Sequence, residues 1–327
     1  MSNVNYNLDP ILEIDLGVEV EKITTKMREI LSRNLHRRGF VVAISGGIDS
    51  SVCAALAVKA IGPGKVFGLL LPEKDSSSIS SDYGRLLAEH LEIDSHTENI
   101  AETLTAIGCY KWRDDAIRQV FANYSGEWKS KIVIAGGLDG GINHYKLIVE
   151  NPQGERFEKM LPLQAYLTIV AATNHKQRIR KTLEYFHADR LNFAVIGTPN
   201  RLEYDQGFFV KNGDGSADLK PIAHLYKSQV YALANYLELP QVICQSTPTT
   251  DTYSLEQGQD EFYFSLPYKE MDIALWYLNE NKSEEELAAK IGITRQQAGY
   301  VYRDIITKRK TTGYLHLAAE LIEPVFL

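Results

Sequence analysis

Seven residues between Ile44 and Val52 have the types and spacing to hold a polyphosphate. Ser45-Gly46-Gly47-Ile48-Asp49-Ser50-Ser51 follows the apolar run Phe40-Val41-Val42-Ala43-Ile44 and leads into a helical stretch from Val52 to Ile61. Glycines let a backbone turn tightly and approach a ligand closely. A helix start presents unpaired N–H groups and the positive end of the helix dipole, which together favour a phosphate. Ser45, Ser50 and Ser51 can add hydroxyl donors. Bare phosphate repels Asp49, and a magnesium ion between the two reconciles them. The competing reading is a helix after a strand, with Asp49 as a structural cap. The loop is not GxxxxGK[ST], because no lysine follows its glycines, and GxGxxG is absent.

Such a loop needs a buried strand before it and a helix behind it. Phe40–Ile44 suits a buried parallel strand. Val66-Phe67-Gly68-Leu69-Leu70-Leu71 reads as a second strand, stopped by Pro72, and Phe193-Ala194-Val195-Ile196 as a third. Val20, Ile23, Met27, Ile30, Leu31 and Leu35 recur at helical spacing, predicting a helix from Val18 to about Leu35 behind an irregular arm. Ser80 to Leu91 and residues 98–122 read as helical. Strands alternating with helices predict an α/β fold with a doubly wound parallel sheet. Residues 123–163 break that rhythm. Lys131–Ile134 and Tyr145–Val149 are β-like and flank the glycine cluster Gly136–Gly141, predicting a β-hairpin insertion whose glycines form a loop. Asn151-Pro152-Gln153-Gly154 is a turn signal before a further polar-apolar run.

Ser45-Gly46-Gly47-Ile48-Asp49-Ser50 resembles the SGGxDS loop of the N-type ATP pyrophosphatases. Further segments, in order, resemble ammonia-dependent NAD synthetases: Pro72 with Ser77-Ser78 and Ser80-Ser81-Asp82; Asn174-His175-Lys176-Gln177-Arg178-Ile179-Arg180; Gly197-Thr198-Pro199-Asn200-Arg201-Leu202-Glu203; Phe208-Phe209-Val210-Lys211-Asn212-Gly213-Asp214-Gly215-Ser216-Ala217-Asp218; and Pro221 with Leu225-Tyr226-Lys227-Ser228-Gln229-Val230. The resemblance covers about residues 18–110 and 165–275. It implies an adenine nucleotide α-hydrolase-like fold over residues 1–275, with residues 276–327 as a C-terminal helical segment and tail. It also implies an ATP-dependent amide-forming ligase. The carboxylate of deamido-NAD takes AMP from ATP, pyrophosphate leaves, and ammonia displaces the AMP. A homodimer is implied as well. The same chemistry on another small carboxylate, or a non-catalytic ATP- or AMP-binding regulatory protein, stays open beside it.

The residue types fit that chemistry. Asp49 and Glu203 give two carboxylates for Mg2+ on an ATP triphosphate. Lys211 and Lys227 can neutralise phosphate charge as AMP transfers. Asp49, Lys211 and Lys227 are the expected catalytic set. ATP is expected on Ser45–Ser51, Thr198, Lys227 and Thr249. By the resemblance, deamido-NAD falls on Arg178, Lys211 and Asp218. The sequence departs from the family at the 123–163 insertion, at Pro248-Thr249-Thr250-Asp251-Thr252-Tyr253 where a P[ST]ADL-like run is usual, and near the C-terminus. There Thr307-Lys308-Arg309-Lys310 and then Tyr314-Leu315-His316 stand in place of His-Lys-Arg, with Lys308 and Arg309 as the expected stand-ins on deamido-NAD.

The bulk properties bound these readings. The chain has 327 residues, 44% hydrophobic and 24% charged, which suits a packed soluble core. A net charge of -7 argues against nucleic-acid binding by general phosphate attraction. Glu285 to Ala298 has the layout of a helix-turn-helix around Gly292, and a packing helical pair is the favoured reading in an acidic chain. Cys53, Cys109 and Cys244 are widely separated, with no CxxC pair and no nucleophile context. Nitrogen is therefore expected from free ammonia or a separate glutaminase. No apolar run reaches membrane-spanning length and the N-terminus lacks a signal-peptide layout, so a cytoplasmic protein is expected.

Overall fold

In the computed structural model, residues 8–135, 144–246, 253–255, 258, 263–264 and 266–325 are described. Four parallel strands form the central sheet: β1 (Phe40–Ala43), β2 (Val66–Leu70), β3 (Asp94–Thr97) and β7 (Ala194–Ile196), in the order β3-β2-β1-β7. Phe40 is in register with Val66 on one side and Ala194 on the other. Side chains alternate across a strand. Phe40, Val42, Ala194 and Ile196 therefore pack with α1 (Leu16–Glu29), α2 (Ile48–Ile61) and α8 (Lys227–Tyr236). Val41 and Val195 meet Ala188 on the opposite face. That residue belongs to α6 (Leu163–Leu191). A sheet covered on both faces requires strands that are apolar throughout, as β1 is.

The expected α/β fold is present. The predicted strands and helices stand close to where the sequence places them: α3 is Ser78–His90, and α4 (Ala101–Ala106) and α5 (Cys109–Arg118) fill the 98–122 stretch. The edge strand β3 lies outside the predicted set. Its residues Asp94-Ser95-His96-Thr97 are all exposed, so it forms by pairing with β2 rather than by burying apolar side chains.

The insertion is larger than a hairpin. β4 (Lys129–Ala135) and β5 (His144–Glu150) pair antiparallel as expected, and β6 (Arg156–Met160) adds a third strand against β5. The Asn151–Gly154 turn joins β5 to β6, with the Asn151 Oδ1 accepting from the Gln153 and Glu155 amides at 3.0 and 2.9 Å. Ile132, Leu147 and Val149 on this sheet bury against Ala165 and Ile169 of α6. The glycine cluster Gly136–Gly141 lies outside the described residues.

Beyond α7 (Arg201–Gln206) and α9 (Gln241–Cys244), a second core forms where α10 (Tyr268–Asn279), α11 (Glu284–Ile291) and α12 (Arg295–Thr312) meet. It also takes in Leu12, Leu202 and Tyr226. Leu287, Val301 and Ile305 are buried in it, so the α11–α12 pair packs inward as expected. Among the described residues, no helix is long and apolar enough to cross a membrane.

Candidate active site

β1 leads to β2 and β3 on one side, while β7 pairs on the other, so the strand order reverses between the C-terminal ends of β1 and β7. Open α/β sheets bind ligands at such a switch point. The β1–α2 loop and the β7–α7 turn both open there.

The loop conformation demands glycine at one position. Gly46 has φ +80°, and a Cβ there would lie 2.4 Å from the Ser80 carbonyl oxygen. Gly47 is the N-cap of α2, and no side chain caps the first turn. The Ser50 and Ser51 hydroxyls turn back and donate to the Gly47 carbonyl at 3.0 and 2.8 Å. Both serines are buried, so they brace the loop, while Ser45 is exposed at its mouth. The result is a glycine-faced helix start that, among the described residues, no side chain caps.

Asp49, in the first turn of α2, is joined to both neighbouring elements. One carboxylate oxygen accepts from the Asn200 side chain at 3.1 Å, and the other pairs with the Lys227 ammonium. Asn200 caps α7 in a reciprocal box with Glu203: each backbone N–H donates to the other's side chain, at 3.2 Å in both directions. Lys227 is only 2% exposed. Burial draws its pKa down, but the charges of Asp49 and Glu203 more than offset this and hold the ammonium above its ordinary value. Burial, then the Asp49 and Glu203 charges, push the Cys53 thiol well up, so both carboxylates project their field onto this end of α2. Thr198, in the turn after β7, is half-buried.

The other expected ligands fall elsewhere. Arg178, exposed on α6, donates through Nε to the Lys211 carbonyl at 3.3 Å. The Lys211 ammonium donates to the Tyr314 and Leu317 carbonyls at 2.8 and 3.1 Å. Asp218 accepts from the Val195 amide at 2.8 Å and the Tyr185 hydroxyl at 3.2 Å, closing the open edge of β7. Lys308 is tied to Asp304 at 2.6 Å and to the Tyr263 carbonyl at 2.5 Å. Arg309 forms a fork with Asp205 at 2.5 and 2.9 Å and reaches Asn279 at 2.6 Å. Both cations therefore serve the packing of α12 on its neighbours. Thr249 lies outside the described residues. The structure thus brings together the loop, Asp49, Glu203 and Lys227, and separately Arg178 with Lys211.

Asn200 is the site residue that the sequence argument passed over. Its signal was legible as an N-cap three residues before a glutamate. The cysteines offer no nucleophile: all three are buried free thiols, and burial raises each of them, Cys109 to about 11.

The donor set suits Mg2+ only in company with a ligand. Asp49 and Glu203 are hard oxygen donors linked through Asn200, and among the described residues no three His, Cys, Asp or Glu side chains gather as a self-sufficient cage. Mg2+ is commonly held by one or two carboxylates plus substrate phosphates, which is what two carboxylates beside an open helix start allow.

A sequence model of the NAD synthase family matches residues 19–134 and 141–311. The chain is 55% identical over 317 residues to the NH(3)-dependent NAD(+) synthetase of Rhizobium meliloti (strain 1021), covering 96% of this chain and 94% of that one. It is 52% identical over 316 residues to the enzyme of the same name from Rhizobium rhizogenes (strain K84), covering 96% and 95%. Two solved structures are similar in fold at 22% identity. One is NMN synthetase from Francisella tularensis, with a TM-score of 0.64 over 96% of this chain and 100% of that one. The other is the NH3-dependent NAD synthetase from Campylobacter jejuni, with a TM-score of 0.61 over 95% and 100%.

Proposed function

The chain belongs to the NAD synthase family, and from that premise we propose that it is an ammonia-dependent NAD synthetase that makes its amide at the β1–β7 switch point. The carrying observation is that Asp49 ties the phosphate-ready loop to Lys227 and, through Asn200, to Glu203. The shared name of the rhizobial relatives supports the same reaction.

A carboxylate oxygen of deamido-NAD attacks the α-phosphorus of ATP, and the bond to the bridging oxygen breaks with pyrophosphate as leaving group. Ammonia then adds to the acyl carbon, AMP leaves with the bonding pair, and the nitrogen loses a proton. No side-chain nucleophile is needed, so the protein's work is alignment and charge neutralisation. The loop amides and the α2 dipole receive the departing pyrophosphate. Lys227, fixed in its protonated state, neutralises charge that builds on the phosphate oxygens. Asp49 and Glu203 would hold Mg2+, which would supply Lewis-acid charge stabilisation to the triphosphate. Ser45 and Thr198 lie where they can touch the nucleotide.

Arg178 and Lys211 form the deamido-NAD side of the site, and Lys211 exchanges its carbonyl partners in the C-terminal tail for substrate. Asp218 orients this side through the β7 edge. Lys308 and Arg309 act at one remove, by holding α12. Two copies of the chain form the working enzyme, and nitrogen enters as free ammonia or from a separate glutaminase.

The test is mass spectrometry of the products from ATP, magnesium, ammonium and deamido-NAD. NAD, AMP and pyrophosphate are expected. ADP and orthophosphate as primary products, or amidation of another acid with none of deamido-NAD, would overturn the assignment.

A further inference from the structure

Lys227 is the first residue of α8, and its own helix start fixes only the residue before it, where the Gln229 side chain accepts from the Tyr226 amide at 2.9 Å. The N-cap is Tyr226, whose side chain makes no capping hydrogen bond. The acceptor comes from another helix. Asp272, in the second turn of α10 and 0% exposed, accepts from the Lys227 amide at 3.1 Å through one oxygen. Its other oxygen accepts from the Ser228 amide and the Ser228 hydroxyl, each at 2.7 Å. All three bonds go to the two residues that open α8. A carboxylate at a helix start satisfies orphan N–H groups and complements the dipole, while burial pushes the Asp272 carboxyl up to about 7 against the pull of these donors.

The consequence reaches the ammonium. A lysine stem has four rotatable carbons, so a buried head is placed only as well as its Cα is placed. The Lys227 head pairs with Asp49 while its backbone is pinned by Asp272. The core around α10–α12 is thereby joined to the phosphate loop through Lys227. We propose that Asp272 is a positioning residue for the adenylation step, setting the place of the Lys227 ammonium from the opposite end of its side chain. This rests on the role proposed above for Lys227.

A double-mutant cycle tests it, with AMP formation, KM for ATP and thermal stability read on each purified full-length variant. Assayed above about pH 8, where the Asp272 carboxyl is ionised, Asp272→Asn removes the charge and keeps one acceptor. It is expected to lower kcat by about tenfold to a hundredfold, the loss that follows from weakening a charge-assisted hydrogen bond. Lys227→Met is expected to lower kcat more. In the Lys227→Met background, Asp272→Asn should change kcat by no more than about twofold, because residues that share one function are not additive. Asp49→Asn provides a second background for the same coupling. A merely structural role would lower melting temperature and active fraction alike in every background. Equal factors in all backgrounds, or wild-type kcat in a folded Asp272→Asn protein, would overturn the inference. Wild-type turnover in Lys227→Met would instead overturn the role of Lys227 itself.

Discussion

Two fully buried lysines stand near the C-terminal edge of the sheet, and they differ in what surrounds them. Lys176 of α6, 1% exposed, donates to Glu73 at 2.9 Å and Asp75 at 2.7 Å in the loop after β2. Arg113 binds the same Asp75 oxygen at 2.5 Å, and the Tyr110 hydroxyl takes the second Glu73 oxygen at 2.7 Å. The Glu73 and Asp75 side chains are 0% and 5% exposed, so the network is closed off from solvent. Lys227 is equally buried, but its partner Asp49 is 17% exposed and stands at an uncapped helix start. A closed network spends its charge on holding three segments together. The open one has charge left to face a ligand. Burial of a cation alone therefore says little about function; the open side of its network says more.

The largest expected effect falls on the closed network. Lys176→Met removes the cation between Glu73 and Asp75 and leaves them only the Tyr110 hydroxyl and the Arg113 guanidinium, and breaking a buried pair in this way costs about 3–5 kcal/mol. Urea denaturation should show that loss, while turnover per folded molecule stays near wild type. Near wild-type stability would mean that water reaches this network and that the comparison with Lys227 fails.

Asp49→Asn should do the reverse. Losing a carboxylate that organises metal and ammonium is expected to lower turnover by about a hundredfold or more at saturating magnesium. Its melting temperature should fall less than that of Lys176→Met, because the Asp49 side chain is itself 17% exposed and asparagine keeps an acceptor for the buried Lys227 ammonium. A folded variant with wild-type AMP release would remove Asp49 from the chemistry.

Arg309→Ala is a smaller test of the same distinction. Its fork with Asp205 is partly exposed, at 34% and 16%, so solvent screening limits the loss to about 1 kcal/mol. The expected result is a modest fall in stability with KM for deamido-NAD unchanged. A raised KM at unchanged stability would put Arg309 on the substrate instead of on α12.

How legible each part was follows from where its signal lies. The β1 strand and its glycine turn announce themselves locally, because five apolar residues and a tight turn leave few alternatives. β3 does not, because an edge strand of Asp94-Ser95-His96-Thr97 carries no apolar pattern at all. The 29-residue α6 was visible only in part. Its buried face runs through Ala165, Ile169, Ala172, Lys176, Lys181, Glu184 and Ala188, a helical spacing in which charged residues replace apolar ones midway. Apolar periodicity is blind to that. Asp49 and Lys227 were legible as residue types in motifs, but their pairing spans 178 positions. The Asp272 contact to α8 spans 45 and needs the folded second core to exist.

The smallest expected effect is a change of slope with pH, and it reads the closed network directly. Burial pushes the Asp75 carboxyl up, but the Lys176 and Arg113 charges more than offset this and leave it below its ordinary value. A carboxylate depressed in the folded state stabilises above its unfolded pKa, near 3.9, and loses that contribution as pH falls through the folded value. Asp75→Asn lacks this proton site and is otherwise close in shape. The stability gap between wild type and Asp75→Asn, measured by urea denaturation at closely spaced pH values, should be constant from neutrality to about pH 5. It should then narrow as the acid range below the unfolded pKa is entered. A gap that widens on acidification would mean that burial wins at Asp75 and the carboxyl is raised. In that case the two cations do not neutralise the network, and its contrast with the open Asp49–Lys227 pair loses its electrostatic basis.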